Sequence, residues 1–88
     1  MHPIIVIRIK RITDNEKLKA FVDIAVGEIT INGVRLMFDP AGGGYWPGLP
    51  QQPYKDKSGN QKFAPIVEVS EGLKKQIKEA IVKEYNQN

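Results

Sequence analysis

The sequence predicts an α+β domain: a small antiparallel β-sheet of four to five strands with one C-terminal amphipathic α-helix packed on it. Three observations carry this expectation. Up to residue 39, β-branched residues alternate with polar ones. Residues 40–61 hold five glycines and four prolines, a composition that breaks any helix. Only the last segment repeats apolar side chains at helical spacing, with Leu73, Ile77, Ala80, Ile81 and Tyr85 three and four residues apart. A chain of 88 residues, 41% hydrophobic and 26% charged, suits one domain, residues 1–88.

Ile4-Ile5-Val6-Ile7-Arg8-Ile9-Lys10-Arg11-Ile12 reads as the first strand, with Ile5, Ile7 and Ile9 on one face and Arg8 and Lys10 on the other. Thr13-Asp14-Asn15-Glu16 supplies turn formers. Leu18, Ala20, Val22, Ile24 and Val26 then mark a second strand, antiparallel to the first. Gly27 allows a tight turn into residues 28–39, where Ile29 and Ile31 keep one phase and Val34, Leu36 and Phe38 the other. The phase flips at Asn32-Gly33, a dipeptide that makes either a two-residue hairpin or a bulge. The bulge is favoured, because the hairpin would leave arms of about four residues. One long third strand would then offer an apolar half to each of its two faces.

Gly42-Gly43-Gly44 reads as a flexible link between strands. A phosphate cradle would need a Lys and a helix start directly after it, and Tyr45-Trp46-Pro47 follows instead. Tyr45 to Pro50 can be extended, but its prolines confine it to an edge or to a few residues. Lys57-Ser58-Gly59-Asn60 is a turn, and residues 62–69 read as a return strand facing Tyr45 to Pro50. Ser70 is a good N-cap, and Glu71 in the first turn complements the helix dipole.

The charge is mild at +3, with the positive residues gathered at both ends of the chain and around Lys55, Lys57 and Lys62. Such a surface attracts polyanions by counterion release, although Lys-rich solvated faces also occur on proteins that bind none. The chain has no cysteine, which removes disulfides, thiolate metal sites and thiol nucleophiles and fits a cytoplasmic setting. No targeting signal or membrane span is expected, since the apolar run near the start is short and soon interrupted by Arg8.

Catalytic residue types are scarce. The sole histidine is His2, so neither a His pair for a metal nor a His-based triad can form. Asp14 and Glu16 share a polar turn that gives no apolar pocket to raise a pKa. An enzyme, a metal, a cofactor and a small-molecule substrate are therefore not expected. Tyr45, Trp46 and Tyr54 beside Lys55 and Lys57 have the composition of a single-strand stacking platform. Trp46 closing a small core is the other reading.

The series Ile7-Arg8-Ile9-Lys10-Arg11-Ile12, Leu18-Lys19-Ala20-Phe21-Val22, Ile31-Asn32-Gly33-Val34-Arg35-Leu36, Gly44-Tyr45-Trp46 leading to Leu49-Pro50, Ala64-Pro65-Ile66 and Glu79-Ala80-Ile81-Val82-Lys83-Glu84-Tyr85 resembles the stage V sporulation protein G family. The resemblance covers almost the whole chain, with a short insertion at residues 55–60. It implies a homodimer built through strand pairing. It also implies a cytoplasmic DNA- or RNA-binding regulator of septation, sporulation or surface and virulence genes. Lys74 matches an Arg of the family's DNA-binding helix start, Lys75 replaces an acidic residue, and Gln76 stands where a Lys is common. Gln51-Gln52 replace a Lys-Arg pair, a loss partly offset by Lys55 and Lys57, and Ala64 stands where a histidine is common.

The nucleic-acid contacts expected on this basis are Lys74, Lys75 and Lys78 on the helix and Lys55 and Lys57 on the loop. Arg8, Lys10 and Arg11 form a possible secondary basic face, and Trp46 and Tyr45 a possible stacking pair. Lysines supply charge without bidentate base readout, so high sequence specificity is not expected from them alone. The competing reading is a protein-interaction adaptor that captures a partner through an exposed strand edge or the Trp46 loop, without nucleic acid.

Overall fold

In the computed structural model, which describes residues 3–87, the alternating runs form four antiparallel strands. They are β1 (Ile4–Arg11), β2 (Leu18–Val26), β3 (Ile29–Asp39) and β4 (Gly44–Gly48), in that order across the sheet. β5 (Gln51–Lys55) and β6 (Gln61–Pro65) make a separate two-stranded ribbon, and α1 (Glu71–Asn86) closes the chain against the sheet. The architecture is α+β, as the alternation and the helical stripe predict. His2 lies outside the described residues.

Three irregularities decide which side chains face the helix. On β2, Leu18 pairs with Met37 and Ala20 with Leu36, so Lys19 is an extra residue and Leu18 leaves the face of Ala20. The other two lie opposite Asp23. On β1, Val6 pairs with Ile24 and Arg8 with Asp23, so Ile7 is an extra residue. On β3, Val34 pairs with Val22 and Ile31 with Ile24, leaving Asn32-Gly33 bulged against Asp23. The Asp23 carboxylate ties both together. It accepts from Nε and Nη2 of Arg8 at 3.2 and 2.9 Å, and from the Gly33 backbone N–H at 3.0 Å. Gly33 has φ +77°, a conformation that side chains with a Cβ rarely adopt.

Because a one-residue slip reverses every side chain beyond it, the two bulges correct the alternation read from sequence. β1 buries Ile4, Val6 and Ile9 against the core, while Ile5 and Ile7 stay 60% and 54% exposed. On β3 the bulge cancels the phase flip. Ile31, Val34 and Leu36 all point to one face and are buried there, so the expected two-faced strand is a one-faced strand. Ala20, Val22, Ile24 and Val26 of β2 complete the sheet side of this core.

The helix meets that face with Ile77 and Ile81, both fully buried, flanked by Leu73, Val82 and Tyr85. Ser70 caps it, its side chain accepting from the Leu73 N–H at 3.2 Å. Pro40 to Gly43 form the hairpin turn from β3 to β4. Asp39 accepts from the Ala41 N–H at 2.9 Å, and a Cβ on Gly43 would lie 2.5 Å from the Asp39 Oδ2. β4 is a five-residue edge strand containing Pro47, in keeping with its missing amide donor.

The return strand differs from expectation. It spans Gln61–Pro65 and pairs with β5, and β4 pairs with β3 rather than facing residues 62–69. Pro65 ends the ladder, and the Ile66 N–H donates to the Pro50 carbonyl at 3.0 Å. Asp56 organises the ribbon tip by accepting from the Ser58 and Asn60 N–H groups, each at 2.9 Å.

Ile77→Ala and Ile81→Ala should each cost about 2–4 kcal/mol by leaving cavities in the one core. Urea unfolding checks this, and two unchanged midpoints would mean that the stripe is not buried. The Gly33 N–H and the Arg8 guanidinium hold the Asp23 carboxyl below its ordinary value of 3.8. A depressed pKa adds stability above the unfolded value that is lost as pH falls through the folded one. The melting difference between wild type and Asp23→Asn should therefore shrink as pH falls from about 5 to about 2. A constant difference would show that the charge contributes nothing.

Candidate nucleic-acid interface

At 100° per residue, Lys74, Lys78 and Lys75 span about 100° of arc along one flank of α1, beside the buried Ile77–Ile81 line. Lys75 and Lys78 are exposed, and Lys74 is half-buried where the flank meets the sheet. None of the three forms an ion pair among the described residues. Glu71 and Glu79 lie within one turn of them, so the flank is positive with two acidic neighbours. The structure thus places the three helix lysines together.

Lys55 ends β5, and Lys57 sits in the turn that follows; both are exposed. Lys62 lies on the same ribbon opposite Tyr54, with its ammonium 3.9 Å from Asp56. All ten residues of β5 and β6 are exposed, so this charge stands on an arm projecting from the sheet. Gln51-Gln52 begin that arm, where the resemblance would place a basic pair.

Arg8, Lys10 and Arg11 do not make one face. Arg8 is engaged with Asp23, and Lys10 is exposed on the side of the sheet away from the helix. Arg11 pairs in register with the buried Ala20 and so lies on the helix side. Its guanidinium stacks 4.3 Å from the Tyr85 ring centroid and donates to the Tyr85 carbonyl, one of the acceptors left unpaired at a helix C-terminus. Arg11 shares the phase of Ile9, so alternation itself puts it on the helix side, and the reach of the Arg side chain carries the guanidinium to Tyr85.

Tyr45 and Trp46 also part company, as neighbours on a strand must. Tyr45 faces the helix, its ring 4.9 Å from Phe38 and 5.9 Å from Tyr85, in a tilted aromatic cluster. It is a packing residue, which corrects its reading as a stacking partner. Trp46 faces outward opposite Met37 and is 44% exposed.

Sequence reasoning missed Arg35. It is half-buried on β3, opposite Gly48, and its Nη2, Nε and Cζ lie 3.0–3.2 Å from where a Gly48 Cβ would project. The missing side chain lets the guanidinium lie over the edge strand. There it lines a cavity of about 680 Å³ with Trp46, Lys74, Glu68 and Glu71. An arginine inside the apolar run Val34 to Phe38 was the available signal.

Among the described residues, no group of three or more His, Asp or Glu could hold a metal ion, and no helix is long and apolar enough to cross a membrane.

Arg11→Gln should lower stability by about 0.5–1 kcal/mol, the worth of an exposed cation–π contact, while Lys10→Gln leaves it within about 0.5 kcal/mol. Equal effects in chemical denaturation would dissolve the distinction drawn between the two. No protein-family model matches this chain, and no curated protein does.

Proposed function

We propose that the chain is a cytoplasmic nucleic-acid-binding regulator and not an enzyme, of the kind that the resemblance to the stage V sporulation protein G family implies. Septation, sporulation or wider gene regulation is the process in view. The single observation that carries this reading is the cluster of Lys74, Lys75 and Lys78 on one helix flank without ion-pair partners among the described residues. Charges left free on a rigid element can exchange condensed counterions for phosphates. Lys55 and Lys57 add contacts from the ribbon, where ordering the arm on binding offsets part of each contact.

Lysine ammoniums are point charges without a fork, so the helix flank positions a backbone without reading bases. A homodimer through strand pairing belongs to the same proposal. The one-faced β3 removes the argument for it from an apolar second face, and it rests on the family resemblance and the small size of the core. Sedimentation equilibrium at micromolar concentration should return the dimer mass, and a clean monomer mass would remove this part.

Converting Lys74, Lys75 and Lys78 together to Gln should weaken binding on every sequence tested. It should also flatten the slope of log affinity against log salt by about two to three units, at about 0.7–0.9 per lost contact. Melting should shift little, because the buried stripe is untouched. Filter binding across a salt series reads both quantities. An unchanged slope would take the helix out of the site, and no retention of any nucleic acid by wild type would favour the adaptor reading.

A further inference from the structure

The sheet face that the helix leaves uncovered carries a pattern that the helix lysines do not explain. Lys10, Phe21, Arg35 and Gly48 stand in one cross-strand row on β1, β2, β3 and β4. Phe21 faces solvent at 39% exposure, paired with Lys10 of β1 on one side and Arg35 of β3 on the other. Two pairs further along, Trp46 stands opposite Met37 on the same face. Of the neighbouring carboxylates, Asp23 is held by Arg8 and the Gly33 N–H, and Asp39 beside Trp46 accepts from the Ala41 N–H. Glu68 and Glu71 line the same cavity as Arg35, but Arg35 and Lys10 make no ion pair among the described residues.

We propose that this outer face binds single-stranded nucleic acid, with Phe21 and Trp46 stacking bases, Arg35 meeting the phosphates between them and Lys10 those beyond Phe21. The inference rests on the nucleic-acid reading above and names a second surface and the strandedness of its ligand. Two exposed aromatic rings on a rigid sheet are costly to leave in water and match the faces of unpaired bases. Two strand spacings across and two residues along put Phe21 and Trp46 about 12 Å apart. Stacked bases follow one another at about 3.4 Å, so both rings are served only by a strand whose bases are splayed. A duplex keeps its base faces inside the stack and presents only groove edges and backbone to these rings.

Trp46 is the chain's only tryptophan and therefore its own probe. Titration with a single-stranded heptanucleotide of uridine should quench its fluorescence, and a blunt duplex of equal charge should bind with little quenching. Phe21→Leu, which keeps apolar surface, should weaken the single strand by about five- to 150-fold, the worth of one stacked base, and leave duplex affinity unchanged. Arg35→Gln should weaken the single strand and lower its salt slope by about 0.7. Both variants are checked for unchanged melting, and the Lys74, Lys75, Lys78→Gln triple variant should still quench.

Retention of both nucleic acids without quenching, or equal loss for strand and duplex in Phe21→Leu, would overturn the platform and leave the helix reading standing. No retention of either would remove both. A Phe21→Lys variant that becomes monomeric while still binding single strands as wild type does would overturn the proposal in favour of a face covered by a second copy.

Discussion

Asp23 is the constraint on which the rest of the fold depends. Its carboxylate sits between two bulges on opposite neighbours, taking Arg8 of β1 on one side and the Gly33 N–H of β3 on the other. Each bulge inserts one residue and so reverses the side-chain phase beyond it. Without the β3 bulge, either Ile31 or Val34 would turn to solvent. Without the β1 bulge, the same choice would fall between Val6 and Ile9. A single polar anchor therefore settles which apolar side chains of β1 and β3 share one face with those of β2.

That face has room for one helix, and α1 occupies it with two fully buried isoleucines. The far end is clasped by aromatic and cationic contacts, with Arg11 on Tyr85, Tyr85 beside Tyr45, and Tyr45 beside Phe38. The other charged and aromatic groups stay at the surface. The helix flank keeps its lysines in water, the ribbon carries its own at the tip, and the reverse of the sheet keeps Phe21, Trp46, Lys10 and Arg35. The proposed regulator would thus meet nucleic acid with charge on one side and with aromatic rings on the other.

Much of this was legible in the residues. The stripe from Leu73 to Tyr85 and the Ser70 cap locate the helix because helical spacing is a strong signal. Asn32-Gly33 marks its bulge because a Gly at positive φ is needed there. The Ile7 bulge carries no such mark: in a run of β-branched residues every position fits a strand equally well, and only pairing with Asp23 selects the extra one. Arg11 was legible, since it keeps the phase of Ile9; grouping it with Arg8 and Lys10 by charge overlooked that alternation. Tyr45 and Trp46 had to lie on opposite faces, but which ring pointed inward depended on the register of β3. The ribbon was paired wrongly because proline-rich segments signal an edge without naming a partner. Arg35 was hidden by the apolar residues around it.

The central claim is that β3 is bulged against Asp23, so that Ile31, Val34 and Leu36 all face the helix. The most direct measurement is the cross-strand nuclear Overhauser pattern between β2 and β3 in the wild-type protein. The account predicts Val22 opposite Val34 and Ile24 opposite Ile31 in the same spectrum. A continuous register, with Ile24 opposite Asn32, would contradict it.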